Sequence, residues 1–120
     1  MNLEEIKKIL QAEVITGNEF LDKEIEFAGG SDLMSDVLAF GKPGLLLLTG
    51  LSNSQSVRTA NIIDAQAIVY VRGKKPDKTG IDLATEKGIP LLSTKLMMYT
   101  ACGLLYTHGV PAVSGLSIKK

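Results

Sequence analysis

The sequence predicts an α/β fold with three layers, in which a largely parallel central sheet carries helices on both faces. Three almost wholly apolar segments, near positions 45, 67 and 91, are predicted to be buried strands. Each is followed by a segment whose apolar residues have helical spacing. Strands and helices that alternate at near-constant spacing are typical of right-handed crossovers and a parallel sheet. The 120 residues suffice for one such unit, so we expect a single domain over residues 1–120.

The first 28 residues predict one helix and two strands. "NLEEIKKILQ" (2–11) is amphipathic, and Asn2 followed by Glu5 has the spacing of a capping box. "AEVIT" (12–16) predicts a strand. "EIEFA" (24–28) alternates apolar and acidic residues, which indicates a half-buried strand near a sheet edge.

The segment "GGSDLMSDVLAF" (29–40) predicts a sharp turn followed by a helix. The glycine pair permits the turn, and Ser31 is the expected helix cap. Asp32 and Asp36 lie four residues apart, which would place both on one helix face. Since no third carboxylate or histidine follows at ligand spacing, we expect no metal there.

Three strand–helix units complete the chain. The expected strands are "LLLLT" (45–49), "AIVYV" (67–71) and "IPLLS" (89–93). The helices that follow them are expected at 56–65, 78–88 and 94–109, the last capped by Thr94.

Composition excludes several classes of protein. Thirteen basic and thirteen acidic residues cancel, and the basic ones are scattered, so we expect no nucleic-acid partner. The longest apolar run is far too short for a membrane span. The single cysteine excludes an internal disulfide, and together these features favour a cytoplasmic protein. No motif in the sequence calls for a cofactor.

Polar residues gather where the parallel strands are expected to end. The loops "TGLSNS" (49–54), "RGKKPD" (72–77) and "STK" (93–95) should meet at this edge, where open sheets bind ligands. The first loop lacks the lysine of a phosphate-binding P-loop and the glycines of a dinucleotide fold. Turn and cap chemistry alone is the competing interpretation. The candidate ligand-binding residues are Asp32, Ser35, Thr49, Gly50, Ser52, Ser54, Thr94 and Lys95.

The last expected helix is apolar almost all the way round. A surface helix needs only one apolar stripe, so this one needs a second cover. A homodimer would provide it, with Leu96, Tyr99, Leu105 and Tyr106 at the interface. The alternative is that the tail "VPAVSGL" (110–116) folds back over the helix.

Four stretches resemble the DRTGG domain family over about residues 12–110, namely "GGSDLMSDVLAF", "LLLLTG", "AIVYVRGKKPD" and "GIPLLSTKLMMYTACGLLY". The chain is similar in this respect to the N-terminal domain of HPr kinase/phosphorylase. Asp32 matches the family's aspartate and Thr49-Gly50 its Thr-Gly, while Leu33 and Leu51 replace its arginine and second glycine.

The resemblance implies a regulatory or assembly module that often pairs with itself and carries no catalytic activity. The sequence therefore predicts a stand-alone, homodimeric regulatory or sensory module that binds a small polar or phosphorylated ligand or a regulated protein partner. A purely structural assembly domain is the alternative. An enzyme of phosphoryl or acyl transfer is a third hypothesis, although no nucleophile, base or metal set supports it.

Overall fold

The computed structural model describes residues 1–113, which form a five-stranded sheet between two layers of helices. The elements in chain order are α1 (Leu3–Leu10), β1 (Glu13–Thr16), β2 (Phe27–Gly30), α2 (Met34–Phe40), β3 (Leu45–Thr49), α3 (Ser54–Ile62), β4 (Ala67–Tyr70), α4 (Lys78–Lys87), β5 (Leu91–Ser93) and α5 (Met98–Thr107). A short 3₁₀ turn, Asn18–Phe20, lies between β1 and β2. The strand order is β1-β5-β4-β3-β2, with only β1 antiparallel to its neighbour. The predicted fold class is confirmed.

Each face of the sheet carries its own hydrophobic cluster. Strands β2 to β5 are adjacent in chain order, so right-handed connections place α2, α3 and α4 on one face. Leu45 and Leu47 of β3 pack in that cluster, whereas Leu46 and Leu48 pack in the cluster with α1 and α5. All four leucines are fully buried. The continuous apolar run in the sequence therefore reflects a strand covered on both faces.

The cap at the start of α1 is confirmed. The Asn2 side chain accepts a hydrogen bond from the Glu5 amide at 3.0 Å, and the Glu5 carboxylate accepts one from the Asn2 amide at 3.1 Å. The three later strand–helix units also lie close to their predicted positions.

The predicted position of the strand at 24–28 is wrong, because β2 begins three residues later. The paired segment is Phe27–Gly30, with Gly29 opposite Leu47 and Gly30 opposite Leu48, so the glycine pair is extended strand and not a turn. A Cβ atom on Gly30 would lie 2.8 Å from the Met98 sulfur. Gly30 therefore allows α5 to pack close to the edge strand β2, while Gly29 makes room for Phe40 of α2 and for Val113.

The predicted start of α2 is also wrong. The helix begins at Met34, and Leu33 precedes it without a side-chain cap. The Ser31 hydroxyl accepts a hydrogen bond from the Leu33 amide within the preceding loop. Asp32 consequently lies outside the helix, and it does not share a helix face with Asp36.

The last helix starts four residues later than expected, at Met98, so Thr94 does not cap it. Thr94 instead ties the loop after β5 to α1, because its hydroxyl donates to the Leu10 carbonyl at 2.7 Å. Its amide donates to the Tyr70 carbonyl, which continues the sheet pairing. Lys95 thus lies in a loop and not in a first helical turn.

The start of the tail follows the edge of the sheet. The Ala28 amide donates to the Pro111 carbonyl, and the Val113 amide donates to the Ala28 carbonyl, both at 2.9 Å. Val110 and Val113 are buried. The rest of the predicted "VPAVSGL" cover lies outside the described residues.

Candidate functional site

Asp32 joins the ends of β2 and β3. One oxygen of its carboxylate accepts a hydrogen bond from the Gly50 amide at 2.5 Å and one from the Thr49 hydroxyl at 3.3 Å. The Thr49 oxygen in turn accepts from the Leu51 amide at 3.1 Å. Three of the predicted ligand residues, Asp32, Thr49 and Gly50, therefore meet in one group, in which one Asp32 oxygen, the Gly50 amide and the Thr49 hydroxyl already bind one another.

Arg72 completes this group; it lies in the predicted edge loop 72–77 but was not among the candidate ligand residues. Its guanidinium lies 3.9 Å from the other Asp32 oxygen and covers Gly50, where a side chain would have to displace it. The Arg72 side chain is 42% exposed and that of Asp32 57%. We call Asp32, Thr49, Gly50 and Arg72 the Asp32 cluster. Arg72 lies two residues after the end of the buried strand β4, and this position is the signal that could have identified it.

The remaining serines do not join the Asp32 cluster. Ser54 accepts a hydrogen bond from Arg58 within α3 at 2.8 Å. Ser35 is exposed on α2 and Ser52 is half-buried in the loop after β3. Within residues 1–113, no hydrogen bond connects any of these three serines to Asp32. Their predicted convergence is therefore not seen as direct contacts.

A cleft of about 520 Å³ separates the start of β1 from the loops that follow β4 and β5. We call it the lysine cleft. It is lined by Leu10, Gln11, Glu13, Gly73, Lys75, Ser93, Thr94, Lys95 and Leu96. The Lys75 ammonium lies 2.7 Å from the Glu13 carboxylate. This hydrogen bond and charge from Lys75 lower the pKa of Glu13, with a smaller contribution from Lys95.

The predicted ligand residues thus fall into two groups. Asp32, Thr49 and Gly50 belong to the Asp32 cluster, whereas Thr94 and Lys95 line the lysine cleft. The two groups are bridged by backbone hydrogen bonds between the loops, from the Arg72 amide to Leu96 and from the Gly73 amide to Thr94.

Tyr70 is fully buried beneath the start of α3. Its hydroxyl lies 2.8 Å from the hydroxyl of Ser56, which donates to the Asn53 carbonyl. Burial raises the pKa of Tyr70 to about 12, and the hydrogen bond with Ser56 only partly opposes this. The neutral phenol is therefore part of the folded structure.

We expect the stability of the fold to fall as pH rises from about 10 to 12. Tyr70 in the unfolded chain loses its proton near pH 10, whereas the folded chain holds it to about pH 12, so ionisation favours unfolding in this window. Urea unfolding from pH 8 to 11.5 measures the effect. Tyr70→Phe should show a shallower decline, and an equal decline in both proteins would contradict the assignment.

The outer face of α5 is apolar and exposed. Tyr99 is 90% exposed and Tyr106 is 70% exposed, beside a groove of about 700 Å³ that runs between α5, the end of β2 and Pro111. Among residues 1–113, no charged side chain lines this groove.

Two of the four predicted interface residues do not lie on that face. Leu105 is 1% exposed and packs in the cluster with α1, so it belongs to the core of its own chain. Leu96 is half-buried against the same cluster. The helical period explains the correction for Leu105, because an all-round apolar helix must still turn one side inward, whereas Leu96 precedes the helix.

The family of this chain is shown by its similarity to known proteins. A profile of the DRTGG domain matches residues 5–107, which is most of the chain. The chain belongs to the DRTGG domain family. No curated protein matches this DRTGG domain significantly.

Its fold is similar to that of the CBS and DRTGG domains in the regulatory region of Clostridium perfringens pyrophosphatase, a crystal structure of the complex with the activator diadenosine tetraphosphate. The TM-score is 0.70 and the sequence identity 20%, over 87% of this chain and 45% of that one. The chain thus spans less than half of that structure, and at this identity the likeness shows the fold alone.

In this DRTGG domain, Leu33 stands where the family's arginine was expected. The guanidinium at Asp32 comes instead from Arg72, at the end of another strand. Within residues 1–113, no group of three or more acidic, histidine or cysteine side chains is arranged to hold a metal ion. In the same part of the chain, no helix has the length and hydropathy needed to cross a membrane.

Proposed function

We propose that this DRTGG domain is a non-catalytic regulatory module, which works as a homodimer and responds to a small polar or phosphorylated ligand at the carboxyl edge of its sheet. Family membership supports the regulatory role, as does the presence of a DRTGG domain in the regulatory region of the pyrophosphatase. The observation on which the proposed homodimer depends is the exposed apolar face of α5.

Gly103 is the most informative residue of that face. It lies inside α5 and is exposed, and no atom outside its own helix turn lies within 4 Å of the position that a Cβ would take, as far as residues 1–113 are concerned. Glycine in a helix costs roughly 0.5–1 kcal/mol relative to alanine, and nothing among residues 1–113 requires it here. A second helix that crosses at this point would require it, because a missing side chain lets two backbones approach closely. Two-fold symmetry would then bring Tyr99 and Tyr106 of each copy against the groove of the other.

Gly103→Glu is expected to convert the dimer into a monomer. The new carboxylate would lie in the apolar contact between copies, where its desolvation is unfavourable, while space around Gly103 leaves the fold itself unaffected. Light scattering coupled to gel filtration at 10–200 µM measures the mass. The matched control is Ile62→Glu, which introduces the same charge at a 70% exposed apolar residue of α3 in the opposite helical layer, and which should remain dimeric.

A wild-type protein that is monomeric throughout this range would refute the homodimer. A Gly103→Glu protein that stays dimeric would refute the α5 interface. Gly103→Ala serves as the folding control, since a methyl group fits the open position within one copy and should leave the circular dichroism spectrum unchanged, whatever its effect on the contact between copies.

A purely structural assembly domain is the second candidate, and the Asp32 cluster favours it. One Asp32 oxygen already accepts hydrogen bonds from Thr49 and Gly50, which gives this residue a structural role in joining β2 to β3. This function predicts no change of unfolding temperature with nucleotides, acyl-CoA thioesters or phosphorylated metabolites. A saturable rise of several degrees would reject it. Turnover of a phosphate ester that Asp32→Ala abolishes would overturn both functions in favour of an enzyme.

A further inference from the structure

The connections that leave β4 and β5 run to opposite faces of the sheet. β4 leads to α4, in the layer with α2 and α3, whereas β5 leads to α5, which packs in the other cluster with α1. In open parallel sheets, ligands bind outside the carboxyl ends of the strands at such a switch point. The loop after β3 does not lie at one, because β3 and β4 both lead to helices of the same layer.

The lysine cleft lies at this switch point, since Gly73 and Lys75 from the loop after β4 and Thr94 and Lys95 from the loop after β5 all line it. We propose that the lysine cleft binds a small phosphorylated molecule, with Lys75 and Lys95 holding its phosphate. The inference deepens the proposed ligand-sensing function and rests on it. The volume of about 520 Å³ is within the range of small-molecule sites and exceeds what a bare phosphate ion needs.

The charges around the cleft favour an anion. Lys75 and Lys95 line it from two loops, and Glu13 is the acidic residue of the lining. Glu13 is paired with Lys75, whereas Lys95 makes no ion pair with any residue in 1–113. Lys74 adds a further positive charge on the loop after β4, while Arg72 on that loop faces Asp32.

The walls of the cleft suit the organic part of such a ligand. The half-buried Leu96 provides apolar surface, whereas Leu10 behind it is fully buried, and the Gln11 side chain adds an amide that both donates and accepts hydrogen bonds. Ser93 and Thr94 already donate their hydroxyl protons to the Lys74 and Leu10 carbonyls, at 2.7 Å each. They fix the shape of the cleft and leave the two lysines as its cationic donors.

Glu13 occupies the position that the phosphate would take beside Lys75. A bound phosphate must compete with this carboxylate for the ammonium group, so Glu13 weakens binding. Glu13→Gln is therefore expected to increase the affinity severalfold, whereas Lys75→Gln and Lys95→Gln should each lower it about tenfold. Opposite changes from neighbouring residues would identify the site more firmly than a loss alone.

Titration of the ¹⁵N-labelled protein with adenosine 5′-monophosphate and with inorganic pyrophosphate, followed by NMR, tests the proposal. We expect saturable amide shifts in residues 72–75 and 93–96 with both probes, and none with adenosine, which lacks the phosphate. The matched control is Lys42→Gln, at the opposite end of the sheet before β3, which should bind like the wild type.

No saturable shift with either phosphorylated probe at 10 mM would overturn the proposal. Binding that leaves the 93–96 amides unchanged, moves residues 32 and 49–54, and is insensitive to Lys95→Gln would also overturn it, yet would retain the proposed ligand-sensing function at the Asp32 cluster. The mass of the Gly103→Glu protein is measured without ligand, so failure of the dimer is distinguished from failure of this site.

Discussion

Leu105→Glu is expected to unfold the domain, and not merely to separate two copies. Leu105 is 1% exposed and packs against the sheet with α1, so the substitution removes a buried apolar side chain and places a carboxylate in the core. We expect a loss of at least about 4 kcal/mol in the free energy of unfolding, a large share of the stability of a small domain. Circular dichroism during thermal unfolding measures it.

Tyr106→Glu is the matched control for this substitution. Tyr106 is the next residue along α5 and is 70% exposed, so the same charge there should leave the secondary structure intact. A folded Leu105→Glu protein with a wild-type melting temperature would show that the inner face of α5 is misassigned.

Asp32→Ala is expected to lower the free energy of unfolding by about 2–3 kcal/mol. The substitution removes the acceptor for the Gly50 amide and for the hydroxyl of Thr49, a fully buried residue, and each buried donor left without a partner costs about 1–3 kcal/mol. The ion pair with Arg72 contributes little to this sum because both side chains are about half exposed. Urea unfolding at pH 7 measures the difference.

Two variants separate the hydrogen bonds from the charge. Asp32→Asn retains an acceptor oxygen and should recover part of the loss. Asp36→Ala removes a carboxylate from the exposed side of α2 and should change stability by less than about 1 kcal/mol. If Asp32→Ala were as stable as Asp36→Ala, the link between β2 and β3 would not depend on this carboxylate.

The sequence was sufficient for the three strand–helix units because their signals are local and strong. Leu45 to Leu48 are apolar without interruption, and the capping box at Asn2 and Glu5 depends only on residues within one turn. The β2 region was less predictable. Gly29 and Gly30 have the composition of a turn, but their pairing with Leu47 and Leu48 holds them extended, and the packing of α5 against Gly30 adds a further partner that is distant in sequence.

In the candidate site, too, the sequence identified single residues but not their partners from distant segments. Asp32, Thr49 and Gly50 were identified from the sequence, but their partner Arg72 follows another strand, and its position after β4 does not by itself show that it faces Asp32. Thr94 and Lys95 were likewise identified, but their neighbours across the lysine cleft, Glu13 and Lys75, come from β1 and from the loop after β4.

The amino-acid sequence by itself determined the fold class and the order of the elements, because apolar periodicity and capping are properties of short segments. The family followed from the resemblance of four stretches and from the profile match. Only the tertiary structure decided which strands are neighbours, and thereby that the hydrogen-bonded loops after β4 and β5 lie across the lysine cleft from the start of β1. It also decided which side of α5 the sheet buries. These outcomes follow from packing between segments far apart in the chain, whose relative positions are fixed only when both faces of the sheet are covered.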